Sequence, residues 1–284
     1  MKRPDYPLLL KPHLAERVWG GLRLGRGIGE AWDLSVHPHG PSAIRNGPLE
    51  GETLAAVAEA HPGAFGGPIG ILAKRLDCRE PLSVQVHPPE EKTEARVVLE
   101  ADQGAGVWPG CSRHVAREEL EGAARDGAIE DLLRFVPARR GDVIFVPGGT
   151  VHAIGGGLLL FEIQQSADTT WRLWDWGRGR EVHVEKAAGC ADLVTRPPHP
   201  PYEPLPTFGE RILRCEHFFV DRMSLDDAWE LHPGDAWKAV FVLGGKARTS
   251  DAEVAKGETM LLPAAAGPRR LLPSPRCDLL LYGP

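Results

Sequence analysis

A chain of 284 residues that is 42% hydrophobic and 25% charged has the composition of an ordinary globular protein, which excludes collagen-like, coiled-coil and wholly disordered architectures. Its 33 cations against 39 anions leave a formal net charge of −6, and no block of Lys or Arg stands ready to neutralise a phosphate backbone, so nucleic acid is not an expected partner. With 33 Gly and 26 Pro, the chain reads as short strands punctuated by many turns.

In chain order, the N-terminus has two early cations but only a three-leucine run at 8–10, short of the ~7–15 apolar residues of an export signal. No later run approaches the ~18–20 apolar residues that span a bilayer, so no membrane partner is expected. Apolar, β-prone runs at 71–76, 82–86, 96–99, 143–146, 158–163, 218–223, 239–243, 259–262 and 278–281 predict strands. Helical signals are fewer, at 53–60, 117–124 and 129–135, the last two forming a small insertion at about 115–135. The stretch 196–207 has six prolines in twelve positions and reads as a linker between a domain at 1–195, with an N-terminal β extension, and a second at 208–284. Five scattered cysteines without a Cys-x-x-Cys pair argue against a disulfide framework or a thiolate zinc site, and a reducing cytoplasm is the expected location.

An internal echo supports two related halves. Gly141-Asp-Val-Ile-Phe-Val-Pro147 and Gly257-Glu-Thr-Met-Leu-Leu-Pro263 share one design: a turn glycine, a strand and a proline. His152 follows the first copy by five residues. Pro268 stands at that place after the second, so the second half is expected to lack metal ligands and to serve structure or the contacts of a homodimer.

The stretch from Gly141 through Pro147 and Gly149 to His152 resembles the second motif of the cupin superfamily, which implies a jelly-roll β-barrel and a second, degenerate cupin-like β domain. Upstream, Gln85 and His87 are two apart in an alternating strand and so point to one face, able to present an amide oxygen and an imidazole nitrogen together. Two imidazoles and an amide leave a dication poorly neutralised, and Glu90, Glu91, Glu94 and Glu100 are candidates for a carboxylate. Glu94, opening the next strand, is preferred, and Glu100 is the reserve. Such a set suits Zn²⁺ first and non-haem iron second.

Further pieces occur in one order. They are Lys11-Pro12, Glu16-Arg-Val-Trp-Gly-Gly21, Ile28-Gly-Glu-Ala-Trp32, Pro81-Leu-Ser-Val-Gln-Val-His-Pro88, Lys92-Thr-Glu94, Gly149-Thr-Val-His-Ala-Ile-Gly155, Glu162-Ile-Gln-Gln-Ser-Ala-Asp-Thr-Thr-Trp-Arg172 and Asp175-Trp-Gly-Arg178. Together they resemble the type I mannose-6-phosphate isomerases in their short bacterial form. The resemblance implies one zinc ion per chain held by Gln85, His87, Glu94 and His152, and interconversion of mannose 6-phosphate and fructose 6-phosphate through a cis-enediol. It also implies a catalytic Arg172, a Lys92 serving catalysis or substrate binding, and a substrate-binding Ser83. The connection from Pro88 to Thr93 is shorter than the family's, which bears on the mouth of the site. The proton-transferring base stays open among Lys92, Glu91, a zinc-bound hydroxide and a histidine. An iron dioxygenase, a different sugar isomerase and a non-catalytic sugar-binding cupin are the alternative readings.

Overall fold

Residues 2–193, 202–206 and 208–284 are described by the structure, a computed structural model. The chain is mainly β, in the cupin class that the motifs imply: 21 strands and three short α-helices occur among the described residues. The expected strands at 143–146 and 259–262 form as Val143–Val146 and Thr259–Leu262, and the run at 96–99 is the middle of Glu94–Ala101. Both echo glycines take positive φ, +93° at Gly141 and +81° at Gly257, the left-handed turn that glycine adopts without steric penalty.

The helix expected at 53–60 forms as Leu54–Ala60, capped by the Thr53 side chain, which accepts the Ala56 N–H at 3.2 Å. The insertion contains helix Arg117–Asp126, closed by left-handed Gly127. The helix expected at 129–135 shortens to a 3-10 turn, Ile129–Leu132, because Leu133 is already extended and Val136–Pro137 is taken up by pairing with Gly106–Pro109. Helix Val184–Cys190 carries no cap signal that the sequence reading used.

Two compact units form, and neither is contiguous in sequence. The first comprises Met1–Leu14, Trp32–Ala73 and Pro200–Pro284. It holds a ten-stranded sheet in which Leu8–Lys11 pairs with Thr259–Leu262, in the register Leu8↔Leu261, Leu9↔Met260 and Leu10↔Thr259. The expected division between 1–195 and 208–284 follows chain order, whereas these units draw on segments from both sides of it. The three leucines at 8–10 bury their side chains in the sheet built by the C-terminal residues, so burial of apolar surface overrides chain order. Within the expected linker, Glu203–Pro204 is an edge strand paired with Gly209–Arg214, a place where proline's missing N–H costs no ladder bond. Residues 196–201 and 207 of that stretch lie outside the described residues.

The second unit comprises Ala15–Ala31 and Lys74–His199. A five-stranded sheet runs in the order Trp171–Trp174, Val84–Val86, His152–Ile154, Gly106–Pro109 and Val136–Pro137. Glu94–Ala101 belongs to a six-stranded sheet, between Val143–Val146 and Leu158–Gln165. The helical insertion packs on Val84, Val86, Trp108 and Leu173. Among the described residues no helix is long and apolar enough to cross a membrane, and all five cysteines are free thiols.

Candidate metal centre

Both sheets of the second unit send polar side chains to one point. In the five-stranded sheet, Gln85 lies directly opposite His152 on one side and Arg172 on the other, so the three side chains share a face. His87 follows two residues after Gln85 on that face. In the six-stranded sheet, Glu94 and Arg96 share a face, and Arg96 lies opposite Glu162. The short connection before Glu94 is pinned at three places: the Glu91 N–H donates to the Pro88 carbonyl, the Thr93 N–H to Gln165 Oε1 at 2.8 Å, and the Gly148 N–H to Thr93 Oγ1.

Ligand-capable atoms of His87, Glu94 and His152 all lie within 4.8 Å of one another, and the three residues are buried. Each imidazole is oriented by its far nitrogen. His87 Nδ1 is 2.9 Å from the Thr169 carbonyl and His152 Nδ1 is 2.9 Å from the Thr150 carbonyl. A carbonyl only accepts, so Nδ1–H donates in both rings, and in the neutral ring Nε2 is left as a lone pair. These lone pairs face Glu94 Oε1, at 3.4 Å from His87 and 3.1 Å from His152. Burial, reinforced by the nearby Lys92 cation, lowers the pKa of His87 to about 4, so its imidazole is neutral at pH 7. For Glu94, burial opposes ionisation, but Arg96 and then His87 and Lys92 outweigh it and hold the carboxyl well below the usual range.

The arrangement fits a cation. Three lone-pair atoms converging in a dry interior repel one another unless positive charge lies between them. The Lys92 ammonium already touches the cluster, 3.3 Å from His87 Nε2 and 3.6 Å from Glu94 Oε2. Glu94 Oε2 is buried with no hydrogen-bond partner among the described residues. The Gln85 amide nitrogen lies 3.4 Å from His87 Nε2 and 3.3 Å from His152 Nε2, while Ser83 Oγ donates to Gln85 Oε1 at 3.1 Å. Turning the amide end over presents its oxygen to the cluster and leaves its N–H donating to Ser83 Oγ, so Ser83 supports either orientation.

The other candidates separate cleanly. Glu90, Glu91 and Glu100 are exposed, and Glu100 pairs with Arg23 at 3.3 Å. Arg172 donates to the Glu181 carbonyl at 2.6 Å, while Asp175 is engaged by Arg178 and Arg180. His183 accepts from the Arg172 N–H at 3.3 Å and stacks edge-on with Trp171. Sequence reasoning also missed Lys74, Arg96 and Glu162, a buried ion-pair group adjoining Glu94. The signal was present in Arg96, two residues beyond Glu94 and so on its face.

Residues 12–106 match the family described as phosphomannose isomerase type I, catalytic domain. The mannose-6-phosphate isomerase ManA of Bacillus subtilis is 33% identical over 93% of this chain and 95% of its own length. The crystal structure of a Bacillus subtilis mannose 6-phosphate isomerase superposes with a TM-score of 0.89 at 28% identity, covering 98% of this chain and 100% of that one. A zinc-bound mannose 6-phosphate isomerase superposes at 0.79 with 14% identity, over 97% of this chain and 98% of that one, a likeness of fold. A near full-length relative at one-third identity, joined to a buried His-Glu-His cluster on a cupin scaffold, makes this chain a member of the type I mannose-6-phosphate isomerase family.

Proposed function

We propose that the protein is a zinc-dependent aldose-ketose isomerase that interconverts mannose 6-phosphate and fructose 6-phosphate, with one metal ion held by His87, Glu94, His152 and the Gln85 amide oxygen. The observation that carries the reading is the convergence of two imidazole lone pairs and a carboxylate oxygen on one buried point, in a chain of this family. Nitrogen and oxygen donors with an open position suit Zn²⁺, and all-oxygen Mg²⁺ or Ca²⁺ sites fit two histidines poorly. Bound there, zinc supplies Lewis-acid stabilisation of negative charge on the sugar's oxygens, where each ~1.4 kcal/mol is a tenfold gain in rate.

The chain's own groups would do the rest. Isomerisation moves a proton between adjacent carbons through a cis-enediol, so a group near the metal must take it and return it. Two observations favour Lys92 for that role: it touches the cluster, and burial, against the pull of Glu94, lowers its ammonium below the usual lysine range. Glu91 is exposed on the outside of the same turn and is the weaker candidate. Arg172, on the face shared with Gln85 and His152, would hydrogen-bond the developing enediolate, its backbone fixed by His183. Ser83, buried and bonded to Gln85, serves in this reading as the support of a ligand rather than as a phosphate contact. Five free thiols accord with a reducing cytoplasm.

A coupled assay of fructose 6-phosphate formation from mannose 6-phosphate tests the reading. Turnover is expected to vanish after chelation and to return with zinc. Turnover indifferent to a strong chelator, or no turnover by the zinc-loaded protein, would contradict it.

A further inference from the structure

Arg96 is a buried arginine, with 3% of its side chain exposed, on the strand that carries Glu94. No role for it follows from the metal ligands or from the proton transfer. Its Nε donates to Glu162 Oε2 at 2.5 Å, and its Nη2 donates to Glu94 Oε1, the oxygen that faces both imidazoles. Glu162 is itself held from the far side, where Lys74 Nζ lies 3.1 Å from Oε1. Both Glu162 oxygens are therefore engaged by fixed cations. Beyond Lys74 the charges keep alternating through Glu30, 3.9 Å away, to the partly exposed Arg17 at 3.0 Å from Glu30.

Two carboxylates as deeply buried as Glu94 and Glu162 repel each other unless a cation separates them. A lysine could supply that charge. A guanidinium supplies more, because its planar fork fixes two acceptors at set directions at once. With Glu162 anchored by Lys74, the position of Arg96 is set from behind, and the second arm of the fork then sets where Glu94 Oε1 lies.

Resting on the metal reading above, we propose that Arg96 is a positioning residue of the metal centre: forked between two buried carboxylates, it fixes the orientation in which Glu94 meets the histidines, and thereby how tightly the ion is held. Glu94 is turned so that one oxygen serves the cluster. Without the fork the carboxylate swings, and the loss is geometric rather than electrostatic. Removing a positive charge beside a cation site would, by charge alone, tighten binding.

The test measures zinc affinity by chelator competition on the full chain and records the visible spectrum of the cobalt-loaded protein, which reports ligand geometry. Arg96→Lys keeps the charge and removes the fork, and it is expected to weaken zinc about 10- to 100-fold and to change the cobalt spectrum. Glu162→Gln loosens Arg96 from behind without touching the ligands. Losing its charge weakens zinc by itself, so its readout is the cobalt spectrum, expected to change as for Arg96→Lys. A Glu162→Gln protein with the parent's spectrum overturns the proposal whatever its affinity, which decides the matter should Arg96→Lys not fold. A folded Arg96→Lys protein that binds zinc within twofold of the parent, or more tightly, with the parent's cobalt spectrum, overturns the proposal. A parent that takes up neither zinc nor cobalt sinks the metal reading itself, and this proposal with it.

Discussion

Acidifying the chelated protein probes the state of His87 directly. Burial and Lys92 bring its pKa from 6.5 to about 4 in the folded chain, whereas the unfolded chain restores the ordinary value. Between those values the unfolded state binds the extra proton, so stability rises with pH: the contribution is complete above about pH 6.5 and is lost as pH falls toward 4. At 1.36 kcal/mol per unit, the whole shift is worth about 3 kcal/mol, of which about 2 kcal/mol is gone near pH 5. The partner in the comparison is His87→Asn, whose amide keeps a donor near the Thr169 carbonyl and has nothing to titrate. Urea unfolding at pH 7 and pH 5 should show the parent losing about 2 kcal/mol more than the variant. In the same protein, the His87 imidazole resonance should stay in its neutral position well below pH 6. Equal losses in the two proteins, together with a His87 resonance that titrates near 6.5, would refute the claim that its Nε2 lone pair is buried and free to bind a metal.

Three further outcomes are expected. Arg172→Ala should retain zinc while lowering turnover by about 100-fold or more, and unchanged kinetics would remove Arg172 from the reaction. Ser83→Ala should leave the fold intact but weaken zinc by up to about tenfold in chelator competition, because the Gln85 amide loses its hydrogen bond to Ser83. Gly66→Ala should cost about 2–4 kcal/mol, seen as a lowered thermal midpoint. Gly66 sits at φ +72°, and an added Cβ would lie 1.8 Å from the Asp235 carbonyl oxygen, a backbone atom that cannot swing aside.

Much of the site was legible because strand alternation is a strong local rule. Gln85 and His87 share a face by their spacing alone, and Glu94 could be preferred over Glu90, Glu91 and Glu100 because it opens a strand. The fold class was legible from short apolar runs between Gly and Pro. The domain division was not, since the pairing of Leu8 with Leu261 depends on contacts far apart in sequence and leaves no local trace. The carbonyls of Thr169 and Thr150 were equally hidden: a backbone oxygen that orients a histidine has no residue-type signature. Arg96 and Glu162 were visible as residues but not as partners, because their meeting is a cross-strand register that only the fold supplies. His183 stands alone along the chain but next to Arg172 in space, a proximity with no local signature.

Anomalous diffraction at the zinc edge, from crystals grown with zinc, addresses the central claim most directly. One peak per chain is predicted, within bonding distance of His87 Nε2, His152 Nε2, a Glu94 carboxylate oxygen and the Gln85 amide oxygen. A peak bound elsewhere, or none between these four side chains, would contradict the account.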